Sequence, residues 1–315
     1  MKKIKDFLWK PDMNVGELVE NFGNLGYQAI ELHAAKESVL KMKRSGAKVF
    51  LTFTSNMVTS GLRGFFAQLI KLGLVDVIVT TSGSIEEDIM KSFGEEFEIA
   101  DFNADDIQLH ENGENRVGNL LIKTESYMKF EDKMSEFLSE IYKKKKRLPS
   151  SELLKEIGLK IKDENSILYQ AAKNNIPIFC PGIVDSSFGF HLFMFQQKHE
   201  DFIVDTIQDM QQAVLCSNHD EKKGLIALGG SISKHYAIFS ALLSGGFDYA
   251  VYMTTAHPSS GSFSGATTNE AKSWGKIKDN ASAATVIGDV TITFPLLMLS
   301  VLDDLNKEGL LENAS

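Results

Sequence analysis

Apolar residues along the chain fall into two rhythms. Short continuous runs at Lys48–Ser55, Val75–Ser82, Ile176–Pro181, Leu225–Gly229, Tyr249–Thr255 and Ala284–Ile287 predict strands. They do not alternate with polar residues, which is the pattern of strands covered on both faces. Leu62, Phe65, Phe66, Leu69 and Ile70 recur at helical spacing and stop before Gly73, a suitable C-terminal cap. Ile203, Ile207, Met210 and Val214 recur at intervals of 4, 3 and 4 and predict another helix. Strands alternating with helices predict an α/β fold with an open, mostly parallel sheet and helices on both faces. The stretch from Phe93 to Asn175 carries more charge and less strand signal. No repeat, low-complexity linker or break in composition marks a boundary, so a single domain over 1–315 is expected.

The polar residues that follow these runs are the candidate chemistry. Thr54-Ser55-Asn56 follows the first run, and Thr80-Thr81-Ser82-Gly83 follows the second and leads into Glu86-Glu87-Asp88. Asp185-Ser186-Ser187 follows the third, and Gly229-Gly230-Ser231, with Lys234-His235, follows the fourth. In open α/β sheets, ligands bind beyond the carboxyl ends of the strands. Small residues there let backbone amides approach a pyrophosphate, and helix N-termini stabilise its charge. An acid such as Asp185 or Asp289 suits ribose hydroxyls. Any one cluster is equally an ordinary turn with an N-cap; their concentration in one chain favours a nucleotide. Ser259–Ile277 reads as a long flexible loop ending in Trp274-Gly275-Lys276. A lysine beside an indole is expected to be partly desolvated, which favours the neutral amine that an imine-forming nucleophile needs. By itself it is equally a surface charge.

Charge and composition narrow the partners. The net charge of −9, from 33 basic and 42 acidic residues, disfavours nucleic acid and mildly suits a cationic substrate. The basic run Lys143–Arg147 reads as a solvated helix end. No apolar stretch is long enough to span a membrane, and no signal peptide is evident. A cytoplasmic location is therefore expected, with Cys180 and Cys216 as free thiols. The G-x-G-x-x-G and G-x-x-x-x-G-K-[ST] fingerprints, H-E-x-x-H and C-x-x-C are all missing. No metal is expected.

Six segments carry a resemblance. Thr54–Gly61 resembles T-S-N-x-x-S-S-G, and Thr80–Asp88 resembles T-T-A-G-G-V-E-E-D. Asn112–Leu121 resembles N-G-x-N-R-I-G-N-L-L, and Asn175–Pro181 resembles N-x-I-P-V-F-x-P. Gly229–His235 resembles G-G-G-x-x-K-H, and Ser273–Ile277 matches S-W-G-K-I. Together they are similar to deoxyhypusine synthases. The resemblance implies a Rossmann-like fold that binds NAD, and an enzyme that takes an aminobutyl group from spermidine. Lys276 would hold that group as an enzyme imine, and His235 and Glu87 would assist proton movement and substrate positioning. The implied NAD contacts are Ser55, Asn56, Thr81, Ser82, Gly83, Glu87, Asp185, Gly229, Gly230, Thr255, Ala256 and Asp289. The implied acceptor is a lysine of a translation factor, and the implied assembly is a homotetramer with shared active sites.

The chain departs from the family pattern around the amine. A family D-G-S-L-G-D appears as Asp185–Phe190, so its second acid becomes Phe190. A family D-G-S-D-S-G appears as Ser260–Gly265, with Ser260 and Phe263 in place of acids. An asparagine four residues after the histidine becomes Phe239, while Tyr252, Glu270 and Trp274 remain. Burying an ammonium without a carboxylate costs several kcal/mol as an order of magnitude, and cation–π attraction recovers only about 0.5–2 kcal/mol. The expectation is a retained NAD half and lysine chemistry with an altered amine pocket, lined by Tyr252, Glu270, Trp274, Phe190, Phe263 and Phe239. The alternatives are a homospermidine-synthase-like transfer to a small diamine and a non-catalytic NAD-binding sensor.

Overall fold

Each of the apolar runs contains a strand in the computed structural model, which describes residues 3–218 and 220–311. The chain forms two compact units. One is built from the chain up to Thr54, Leu69–Val79 and the chain from Met210 onward; the other from Ser55–Gln68 and Thr80–Asp209.

The first unit holds β1 (Lys48–Thr52), β2 (Val77–Val79), β3 (Lys223–Leu228), β4 (Phe247–Thr254) and β5 (Ile277–Ile287). Their order is β5-β4-β3-β1-β2, and every pair is parallel. Phe50 of β1 sits opposite Val77 on one side and Leu225 on the other. Every residue of β3 is buried, so both faces of the sheet centre are covered, as the apolar run from Leu225 predicts. The one charged residue in β3, Lys223, is also buried. Its Nζ donates to the carbonyl oxygens of Asn218, Glu221 and Ser244, which keeps the ammonium solvated by protein. The helix Tyr27–Arg44 packs on β3, β4 and β5 with Leu32, Ala35, Val39 and Met42 inward. The helix Val290–Lys307 lies against it through Phe294, Leu297, Met298, Val301 and Leu305, a 3-4 spaced stripe. Full burial of side chains of this size contributes about 1.5–3 kcal/mol each.

The second unit is mostly helical, with Ser82–Ser92, Thr124–Lys144, Ser150–Gly158, Ile167–Lys173 and Ser187–Gln196 as helices. Its organising ion pair is buried. Arg63 Nε donates to Asp88 Oδ1 at 2.5 Å, and Arg63 Nη2 donates to Asp163 Oδ2 at 2.6 Å. Asp88 Oδ2 also accepts from Leu168 N at 2.8 Å and Ser166 Oγ at 2.9 Å, capping the next helix from outside it.

Three local expectations change. The weak-signal middle contains an antiparallel sheet, with Leu120–Lys123 between Glu98–Ile99 and Glu114–Val117. Most of its residues are exposed or half-buried, so no apolar run announces it. Ile203 does not open a helix: its N–H donates to Lys146 O at 2.7 Å in a short strand, and the helix spans Thr206–Cys216. Ser259–Ile277 is not a structureless loop. It starts within the 3-10 turn Pro258–Ser260 and contains the 3-10 turn Phe263–Gly265 and the helix Thr268–Ser273, whose N-cap Thr267 accepts from Glu270 N. The basic run does end the helix Thr124–Lys144, and four of its five cations are paired: Lys144 with Glu156, Lys145 with Glu152, Lys146 with Asp201 and Arg147 with Asp205.

Candidate active site

Because the strands of the first unit run parallel, their carboxyl ends lie along one edge. Gly229-Gly230 leaves β3 there, Thr255-Ala256 leaves β4 and Asp289 follows β5. Gly229 has φ +77° and donates its N–H to Met253 O at 2.7 Å. A Cβ on Gly230 would lie 2.4 Å from Ser264 Cα, so only glycine admits the Ser262–Gly265 turn at this place. Ser231 N donates to Ser264 Oγ at 3.1 Å, which ties that turn to the start of the helix Ser231–Ser240. Ala256 N is turned back onto Thr254 Oγ1 at 3.0 Å. Asp289 is exposed and accepts from Thr291 N at 2.8 Å, so in this state it serves as the N-cap of the last helix.

Lys276 precedes β5 and is 7% exposed. Its Nζ lies 5.1 Å from the centre of the Trp274 ring and 5.4 Å from that of Phe263. Tyr252, Glu270 and Trp274 line the same small pocket, and so does Lys234, which the sequence placed beside His235 after the fourth run. Lys234 is 1% exposed, and its Nζ donates to Ala266 O at 3.1 Å and stands 4.3 Å from the Tyr252 ring centre. Burial pulls its pKa down to about 8, against the attraction of Glu270. His235 faces out. It stacks on Phe239 at 5.9 Å and meets Phe263 edge-on at 5.0 Å. Its pKa is lowered, first by burial and then by the charge of Lys276, both of which favour the neutral imidazole.

The second unit gathers the other clusters. Ser82–Ser92 starts a helix whose N-cap Thr81 makes no side-chain cap; the Thr81 hydroxyl accepts from Ser55 N at 3.0 Å instead. A Cβ on Gly83 would meet Ser55 Cβ at 2.8 Å, so glycine keeps the two motifs in contact. Ser82 Oγ donates to Gly182 O at 3.2 Å, and Glu86 accepts from Phe188 N at 2.8 Å. These bonds hold the Asp185 turn beside the same helix, with Asp185 itself exposed. Glu87 is buried and accepts from Thr59 Oγ1 at 2.8 and 2.7 Å. Burial raises its pKa to about 7, although the Thr59 hydroxyl and the Lys91 ammonium act in the opposite direction. Phe190 lies in this unit too, 57% exposed and beside Phe193.

The family described as deoxyhypusine synthase matches residues 17–301. The chain belongs to the deoxyhypusine synthase family. A relative from Thermoplasma acidophilum named "Probable deoxyhypusine synthase" is 39% identical over 303 residues, 96% of this chain and 97% of that protein. One of the same name from Thermoplasma volcanium is 40% identical over 303 residues, with 96% and 97% coverage. Among solved structures, a candidate deoxyhypusine synthase from Entamoeba histolytica is similar at TM-score 0.67 and 27% identity, covering 94% of this chain and 96% of that one. AgrE, solved as a ternary complex with ornithine and NAD+, shares the fold at TM-score 0.56 and 13% identity, over 90% of this chain and 34% of that one. Membership of the deoxyhypusine synthase family carries transfer of an aminobutyl group in general, and with it a transferase. No helix among the described residues is long and apolar enough to cross a membrane.

Proposed function

We propose that the chain is an NAD-dependent aminobutyl transferase that works through an imine on Lys276, with spermidine or a related amine as donor. The observation that carries this is a buried lysine, set between two aromatic rings, in the segment that matches S-W-G-K-I.

The residues fit a dinucleotide. Gly83 and Gly230 stand where a Cβ would collide with neighbouring atoms, the N-terminus of Ser82–Ser92 is uncapped, and its first turn carries no acid. Ser55, Asn56, Thr81, Ser82, Gly83, Glu87, Asp185, Gly229, Gly230, Thr255, Ala256 and Asp289 are the residues that would hold NAD. The chemistry NAD supplies when bound is reversible storage of a hydride. Lys276 acts on the oxidised donor. Its amine lone pair adds to the donor's C=N carbon, and the C–N bond to the leaving amine breaks as that amine takes a proton. The butylamine group stays on Lys276 as an imine until an acceptor amine displaces it in the same way. Trp274 and Phe263 keep water from the Lys276 amine. His235 offers a ring nitrogen for a proton, and Glu87, its pKa raised by burial to about 7, is suited to exchange one near neutrality. We further propose the homotetramer with shared active sites, a lysine of a translation factor as acceptor, and a cytoplasmic location.

Incubation with NAD and spermidine or putrescine, followed by borohydride and peptide mass mapping, tests the reading. An aminobutyl adduct on Lys276 that is lost in Lys276→Ala is expected. Absence of any adduct with either amine would sink it.

A further inference from the structure

We propose that Glu20, His33 and Glu37 form a binding site for a divalent transition-metal ion of the Zn2+ type, which fastens the helix Val15–Phe22 to the helix Tyr27–Arg44. The site lies within the first unit and stands apart from Lys276 and the transferase chemistry.

One ring nitrogen of His33 and one carboxylate oxygen from each of Glu20 and Glu37 all lie within 4.8 Å of one another. His33 and Glu37 are one helical turn apart on Tyr27–Arg44 and so share a face, and Glu20 reaches them from Val15–Phe22. An imidazole with two carboxylates is a donor set for Zn2+ and similar ions, which hold nitrogen and oxygen at about 2.0–2.2 Å. Around a tetrahedral ion such donors stand about 3.4 Å apart, so the groups need to close by roughly 1 Å. Glu20 is exposed and Glu37 half-buried, which leaves both side chains free to make that movement.

The imidazole is already held in place. A Cβ on Gly23 would lie 2.7 Å from His33 Cδ2 and 2.8 Å from Nε2, so glycine makes room for the ring there. His33 Nδ1 is buried and has no hydrogen-bond partner among the described residues. Glu20 Oε2 stands 3.9 Å from it, too far for a hydrogen bond. Buried polar atoms are normally partnered, and an ion taken up between these groups would use the free Nδ1 lone pair.

Charge favours a cation at this place. The buried Lys36 ammonium is shared between Glu20 Oε2 at 3.2 Å and Asp304 Oδ2 at 2.8 Å, and Lys307 approaches Asp304 at 3.8 Å. Glu20, Glu37 and Asp304 therefore outnumber these two ammonium groups. When Glu20 turns to the ion, Lys36 keeps Asp304, so no buried charge is left alone. Glu20 and Lys36 also line a polar cavity of about 360 Å³ with Asn14, Glu17 and Asp304. The cavity gives the ion a way in and room for a water in the fourth position.

Titration calorimetry with ZnCl2 on the full chain, first stripped of metal with a chelator, tests the site. One equivalent bound with micromolar or tighter Kd is expected, with a Tm rise of about 4 °C at a hundredfold excess over Kd. Glu37→Gln, which keeps the size of the side chain, and His33→Gln should each weaken binding tenfold or more. Amide hydrogen exchange in Val15–Phe22 should slow on adding Zn2+ to the wild type and stay unchanged in Glu37→Gln. Failure to bind one equivalent, equal affinity in the wild type and Glu37→Gln, or exchange that Zn2+ does not slow would each overturn the proposal.

Discussion

Glu87 and Lys234 illustrate how single residues depart from their ordinary chemistry here. Both are buried, and for both the dominant influence is loss of water around the charged form. The sign for Glu87 is definite. Its folded pKa of about 7 lies above the ordinary 4.5, so the folded state holds the proton more tightly. Its stabilising contribution is complete below about 4.5 and is lost as pH rises through about 7. The full linkage is on the order of 3 kcal/mol. Thermal melts from pH 4.5 to 8.5 should therefore show the wild type weakening across neutrality while Glu87→Gln stays flatter. Parallel profiles for the two proteins would contradict this assignment. The segment Thr80–Asp88 singled out Glu87; its burial and raised pKa were not legible there, because Thr59 and the enclosing side chains arrive from elsewhere in the chain.

Elements were legible in proportion to their burial. β3 is buried at every residue and reads as an apolar run from Leu225, whereas Glu98–Ile99 is wholly exposed and carries no such mark. The Ser259–Ile277 segment is rich in glycine, serine and threonine, which suggests flexibility. Its order comes from hydrogen bonds that those same short polar side chains make to nearby backbone, as Thr267 and Ser262 do. Asp88 shows how one side chain can hold several elements. It joins the helix Ser82–Ser92 to Arg63 and, through Ser166 and Leu168, to the helix Ile167–Lys173. Asp88→Ala would leave Arg63, 8% exposed, without its main partner. The expected loss is about 3–5 kcal/mol in urea unfolding. A loss within experimental error of zero would show that Asp163 alone suffices for Arg63.

At the scale of the whole molecule, the chain passes between its two units more than once, each unit being assembled from separate stretches. Composition therefore shows no single break, and no cut in the sequence would separate the units. Assembly is the remaining question at this scale. Sedimentation velocity should give the mass of a homotetramer, and a monomer at micromolar concentration would refute the proposed shared sites. What the sequence alone determined is the α/β class, the position of the buried strands and the family, since these rest on local apolar runs and on motifs of adjacent residues. Only the tertiary structure decided that Lys234 joins Lys276 in one pocket, that Phe263 lines it and that the Tyr252 hydroxyl has no hydrogen-bond partner among the described residues. These facts depend on side chains brought together from different strands and turns, and burial, which sets their charge and free space, is a property of the packed neighbours and not of the residue itself.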